Sequence, residues 1–464
     1  MTSAGNAPQP TPSPRCSGGR VGEEGAACSA ESPFVSPATQ GKPFSTGYQP
    51  SRRAHWAGGQ PISQLMACAL ENPHLISLAA GFVDPETLPT DLAHEALAAL
   101  FADPGAARAA LQYGTTPGHP PLRELLLQRT RELDPAGPPV TLEQVVVAAG
   151  SNQLLHLVSE SLLDPGDIVL CAAPTYFVYL GLLAGLGARA VGVAGDDAGI
   201  VPEALEETLT RLRTQGELPR VKAIYLVPDF DNPAGSTLSR QRRAAVVEIA
   251  KRWSSQARIH VIADEAYRDL RYEGEELPSL RVWDDDADTV IVAGTFSKSF
   301  SPGIRVGWSI LPRHLIGPVN EQKGNVDFGS PNFNQHLMTK VLELGLLEPH
   351  LARIRAGYSR KLTAMLAAAD AHLGPLPGVE WFRPRGGLYV WVRLPPGMDA
   401  GMQSPLFPAA VRAGVLYVPG ECCYPSAGEP VCRHSLRLSF GVQSCAKIRE
   451  GVEKLARAIE TVLP

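Results

Sequence analysis

A chain of 464 residues with 44% hydrophobic side chains is long enough for two domains and a large core. A formal net charge of −5 gives no basic footprint for nucleic acid, and no apolar run approaches the ~20 residues that a membrane-spanning helix needs. The eight cysteines are scattered, and Cys171 lies in a run that reads as a buried strand, so reduced thiols in a cytoplasm are the simplest expectation.

Residues 1–45 are rich in Pro, Ser and Gly and poor in large apolar side chains, which reads as a disordered tail ahead of an N-terminal segment, 46–75. That tail is too short and too Pro-rich for a winged-helix DNA-binding domain. Arg52-Arg53 is followed by AHWAGGQP, not by an apolar segment, so it is no twin-arginine export signal. From Val145 onward, fully apolar runs alternate with helical patterns: 145–149, 168–173, 188–193, 222–227, 259–264, 289–294 and 304–310. Such runs predict a mostly parallel, seven-stranded α/β sheet covered on both faces, in a large domain spanning 76–340. A helical stretch from about Leu342 to His372 follows, then shorter strands at 387–394, 415–418 and 435–440 and a closing helix. These predict a smaller α+β domain over 341–464.

Polar residues end several of the apolar runs. Asn232 follows AIYLVP in DFDNPAG, Asp264 follows IHVIA and precedes Glu265-Ala266-Tyr267, and Lys298 follows TVIVAG in Thr295-Phe296-Ser297-Lys298. Buried polar groups are costly unless paired, so their recurrence at the carboxyl ends of successive strands points to a site. A lysine placed there can form a Schiff base. Gly150-Ser151-Asn152-Gln153, between a strand and a helical pattern, offers the N–H groups of a helix start, and Thr295, Ser297 and Arg305 offer hydroxyls and a cation; together these suit a phosphate. Ser151 equally suits a helix cap. Arg437 places a charge inside the strand HSLRLSF, where a buried guanidinium needs an anion, best a planar carboxylate. Gly185-x-Gly187-x-x-Ala190 fits a relaxed dinucleotide fingerprint but follows a helix, so it reads as a helix-ending turn. The spacing of Cys422, Cys423, Cys432 and His434 matches no common zinc pattern, which leaves small buried thiols.

From about Leu75 to the C-terminus the chain resembles a fold-type I, pyridoxal phosphate-dependent class I/II aminotransferase. YLVPDFDNPAG (225–235), DEAYRDLRY (264–272) and GTFSKSFSPGIRVGW (294–308) are most similar to the aminoadipate and kynurenine aminotransferase branch, which also supplies a domain of some bacterial transcription regulators. The resemblance implies transfer of an amino group from an α-amino acid to a 2-oxo acid. Lys298 would hold the cofactor as an internal aldimine and then move the substrate Cα proton, with Asp264 opposite the pyridine nitrogen. Tyr267 and Asn232 would bond the ring's phenolic oxygen, Tyr176 in PTYFVY would stack on the ring, and Ser151, Asn152, Thr295, Ser297 and Arg305 would hold the phosphate. Asn152 stands where the family commonly has Gln. The substrate side falls to Arg437 for the α-carboxylate, to Asn232, and to the backbone of Gly81 in AAGFVDPETLP. Tyr113 in LQYGTTPG matches a residue that reaches the neighbouring subunit's phosphate, which implies a homodimer with shared sites. Because scaffold and cofactor do not fix the reaction, β-elimination, a cyclising lyase or a regulator that senses an amino compound are the alternatives.

Overall fold

The computed structural model describes residues 49–58, 61–254 and 257–463, so the tail expected over 1–45 lies outside the described residues. The seven apolar runs are strands β1 (Val145–Ala148), β2 (Ile168–Ala173), β3 (Arg189–Asp196), β4 (Val221–Leu226), β5 (His260–Asp264), β6 (Val290–Thr295) and β7 (Gly307–Ile310). They lie in the order 3-2-4-5-6-7-1. Pairing is parallel from β3 through β6, and β7 runs antiparallel to both β6 and β1. Every residue of β5 and β6 is buried, as expected of strands covered on both faces.

Two short pieces bring the sheet to nine strands: Ala427–Gly428 pairs parallel to β3, and Gly199–Ile200 pairs antiparallel with its end. Neither has the length or periodicity to register in a sequence. β7 also starts later than the run 304–310 suggested. Pro302–Ile304 form a single 3-10 turn, and Arg305 takes a left-handed φ of 49°, so the extended strand begins beyond it.

The chain crosses from β1 at one edge to β2, steps outward to β3, then returns to lay down β4, β5 and β6. Where that direction reverses, the loops after neighbouring strands part and leave a crevice at the strands' carboxyl ends. A second, antiparallel sheet closes the crevice from the C-terminal part of the chain. Its strands are β8 (Glu380–Trp381), β9 (Tyr389–Arg393), β10 (Val418–Pro419) and β11 (Ser435–Ser439), in the order 8-9-11-10. Trp391 pairs with Arg437 and Tyr389 with Ser439, which puts these four side chains on one face. The run 415–418 is not one strand: Val415–Leu416 pairs parallel with Ile76–Ser77, and Val418 joins β11. The helical stretch expected over 342–372 is the helix Leu347–Ala368 with its wider last turn, Ala369–Leu373. Helix Phe177–Leu186 ends on Gly187 at φ 76°, the helix-ending turn that its glycines suggested. Among the described residues no helix is long and apolar enough to cross a membrane.

Candidate active site

The crevice is a cavity of about 310 Å³, within the usual range for a small-molecule site. Gly81, Ser151, Asn152, Tyr176, Asn232, Asp264, Tyr267, Thr295, Ser297, Lys298, Arg305 and Arg437 all line it. Tyr113 does not. It is 80% exposed on this chain, with its ring edge-on to Phe328 at 5.8 Å.

Asp264, the last residue of β5, is 4% exposed at the floor. Its Oδ2 accepts from the Tyr225 hydroxyl at 3.1 Å, while its Oδ1, equally buried, has no hydrogen-bond partner. Burial pushes this carboxyl up to about 6 and Glu265 adds to the rise, against Tyr225, the Ala266 amide and Lys298. Burial and Asp264 itself raise the Tyr225 phenol well above its ordinary value, so Tyr225 stays the donor.

Arg437, 2% exposed on β11, also lines the cavity. It donates to Asn232 Oδ1 at 2.7 Å and to the Ala79 carbonyl at 2.6 Å, and its guanidinium carbon stands 4.3 Å from the centre of the Tyr389 ring. Both hydrogen-bond acceptors are neutral, and Nε has none. A buried cation in such company selects an anionic ligand, and the flat fork of the guanidinium matches a carboxylate.

Lys298 follows β6 by three residues, and its half-buried amine donates to the Gly81 carbonyl at 2.9 Å. The hydroxyls of Tyr267 and Tyr389 meet at 3.1 Å nearby. Burial, then Tyr389, hold the Tyr267 phenol well above its usual range, so it remains protonated. Tyr176 begins the turn into helix Phe177–Leu186, and Asn152 hydrogen-bonds its side chain.

The opposite end of the cavity is built for an anion. Gly150, at φ 88°, occupies the N-cap of helix Ser151–Leu162, so Ser151 is the first helical residue and not the cap. Thr295 Oγ1 donates to Ser297 Oγ at 2.9 Å, and Arg305 donates to the same Ser297 oxygen at 3.3 Å and to the Ala149 carbonyl at 2.9 Å. A helix start, two hydroxyls and a guanidinium are the kinds of group that suit a phosphate.

Three contributors escaped the sequence reading: Tyr225, Tyr389 and the Ala79 carbonyl. Both tyrosines sit inside apolar runs, where a Tyr reads as core. Period-two alternation within 389–393 separates Tyr389 and Trp391 from their neighbours, but only the pairing with β11 places that face beside Arg437. The arrangement can take a ligand with an N–H cation at one end and a phosphate at the other, and present a primary amine to its middle.

Residues 73–455 match the family model described as aminotransferase class I and II. The chain is 35% identical over 391 residues to aromatic-amino-acid aminotransferase 1 of Thermococcus litoralis, covering 84% of this chain and 89% of that one. It is 33% identical over 395 residues to the 2-aminoadipate transaminase of Thermus thermophilus, with 85% and 92% covered. Its fold is similar to the crystal structure of Pyrococcus horikoshii kynurenine aminotransferase in complex with PMP, with a TM-score of 0.82, 33% identity, and 89% and 97% of the two chains covered.

Proposed function

The chain belongs to the class I and II aminotransferases, pyridoxal phosphate enzymes that carry an amino group from an amino acid to a 2-oxo acid, and from that premise we propose that the cavity around Lys298 is its active site. The observation that carries the reading is that a single cavity holds an amine, a buried carboxylate with a bare oxygen and a buried guanidinium without an anion. Each lacks what this reaction brings. Asp264 Oδ1 suits a protonated ring nitrogen, the seat of Ser151, Asn152, Thr295, Ser297 and Arg305 suits the phosphate, and Arg437 suits the donor's α-carboxylate. When bound, the cofactor supplies an aldehyde for the amine and a ring that takes up the electron pair released at the donor Cα.

The remaining roles fall to the chain's own groups. With its amine free, Lys298 Nζ would be the base that takes the donor's Cα proton and holds it for return. Tyr267 and Asn232 would donate to the ring's phenolic oxygen, and Tyr176 would lie against the ring face. Asn232 also steadies Arg437, a contact supported by their 2.7 Å hydrogen bond. The Gly81 backbone covers the substrate side of the lysine. Phe82, Phe177 and Val178 add apolar surface to the wall, which favours an apolar or aromatic donor over an acidic one.

The test is a half-reaction. Cofactor-loaded enzyme given an aromatic amino acid without an acceptor should release one 2-oxo acid per site and stop until a 2-oxo acid is added. Continuous release of ammonia would instead mark an elimination. The active unit in this reading is a homodimer in which Tyr113 reaches the partner's phosphate seat, supported by the exposed Tyr113, Phe328 and Leu111. Sedimentation at assay concentration should find a dimer, and a fully active monomer would remove this part of the reading. A cytoplasmic location belongs to the same proposal, supported by free thiols at Cys68, Cys171, Cys422, Cys423, Cys432 and Cys445.

A further inference from the structure

The phosphate seat stands on a group of polar side chains that lies outside the cavity. At its centre is Asp327, the last residue of helix Arg313–Asp327. Its Oδ1 accepts from Lys323 Nζ at 2.9 Å, one turn back on the same helix, and Lys323 is fully buried. Its Oδ2 accepts from Gln153 Nε2 and from Ser330 Oγ, both at 2.8 Å. Gln153 in turn offers its Oε1 to the Ala149 N–H at 2.7 Å, and the Ala149 carbonyl accepts from Arg305. Ala149 is therefore gripped through both of its backbone polar groups, immediately before Gly150 and Ser151. The turn has no slack beneath it either, because a Cβ on Gly307 would stand 2.6 Å from the backbone of Gly150 and Ser151.

An ion pair with a fully buried lysine adds little net stability, since desolvating the ammonium offsets much of the attraction. Its effect here is directional. A carboxylate only accepts hydrogen bonds, so Asp327 compels Gln153 to turn its NH₂ group inward and its carbonyl oxygen toward Ala149. With the amide reversed, an NH₂ group would confront the Ala149 N–H. Lys323 occupies the other oxygen and keeps Asp327 ionised.

We propose that Asp327, acting through Gln153, is a positioning residue for the phosphate-binding turn at Gly150-Ser151, an inference that rests on the reading of the cavity given above. The experiment uses the full chain stripped of cofactor and titrated separately with pyridoxal phosphate and with pyridoxal, which has the same aldehyde and ring but no phosphate. Absorbance of the aldehyde joined to Lys298 reports both, without turnover. Asp327→Asn should weaken pyridoxal phosphate binding about tenfold and leave pyridoxal within about twofold. Because that change strands the buried Lys323, Gln153→Leu serves as a second variant that keeps the ion pair intact, and it should give the same selective loss. An equal loss for both aldehydes, or none for either, in Gln153→Leu overturns the proposal. Ser151→Ala separates the two levels of inference. If it too fails to distinguish the aldehydes, the phosphate seat has been misplaced, whereas a selective loss in Ser151→Ala with none in Gln153→Leu condemns the Asp327 link alone.

Discussion

In the deeply buried part of the cavity lining, Asp264 and Arg437 are 4% and 2% exposed and keep a bare oxygen and a bare Nε. In the open part of the lining Arg305 is exposed, and it shares hydrogen bonds with Ser297 and the Ala149 carbonyl. Unpaired charge in a dry interior is expensive to fold around, yet each contact it makes with an arriving group is worth more than the same contact in water. The deep end is thus suited to stabilising charge that develops during reaction. The open end is largely satisfied by its own partners and suited to holding a ligand in place.

The sharpest way to break this contrast is Asp264→Asn, which keeps the shape and removes the charge. Turnover at saturating cofactor should fall by about three orders of magnitude, roughly 4 kcal/mol at ~1.4 kcal/mol per decade. The same residue sets a pH dependence. Its carboxyl is raised to about 6 by burial, so between about pH 4 and about pH 6 the unfolded chain has given up a proton that the folded chain still holds, and the cofactor-free protein loses stability across that window. An incoming ring cation pairs with the buried charge, so cofactor affinity should climb as Asp264 ionises around pH 6 and level off above it. Titrations between about pH 5 and about pH 8 would read this, and Asp264→Asn should flatten the curve. A smaller change is expected from Arg305→Gln: about tenfold weaker cofactor binding, with turnover at saturation within a few-fold of the parent. Should Arg305→Gln depress turnover at saturation while Asp264→Asn alters affinity alone, the two ends have been assigned the wrong way round.

Much of this architecture was legible before any coordinates, for a reason visible in β5 and β6. Strands buried on both faces are largely apolar, so a polar residue at the end of the run, such as Asp264, or just beyond it, such as Lys298, marks both the strand's end and the crevice. What escaped depends on partners far away in sequence. Ala427–Gly428 is a strand only because β3 offers it an edge, and 415–418 divides because its halves pair with different sheets. Tyr225 looks like core until β5 sets Asp264 against its hydroxyl. Ser151 was equally eligible as a cap, and only the left-handed Gly150 decides that it begins the helix instead.

Whether Lys298 carries the cofactor is open to chemical trapping. Cofactor-loaded enzyme would be treated with borohydride, which makes the lysine linkage permanent, then digested and mapped by mass spectrometry. The expected result is one phosphopyridoxyl group per chain on the peptide containing Thr295-Phe296-Ser297-Lys298. The same group found on Lys323, Lys361 or any other lysine, with Lys298 unmodified, would contradict it.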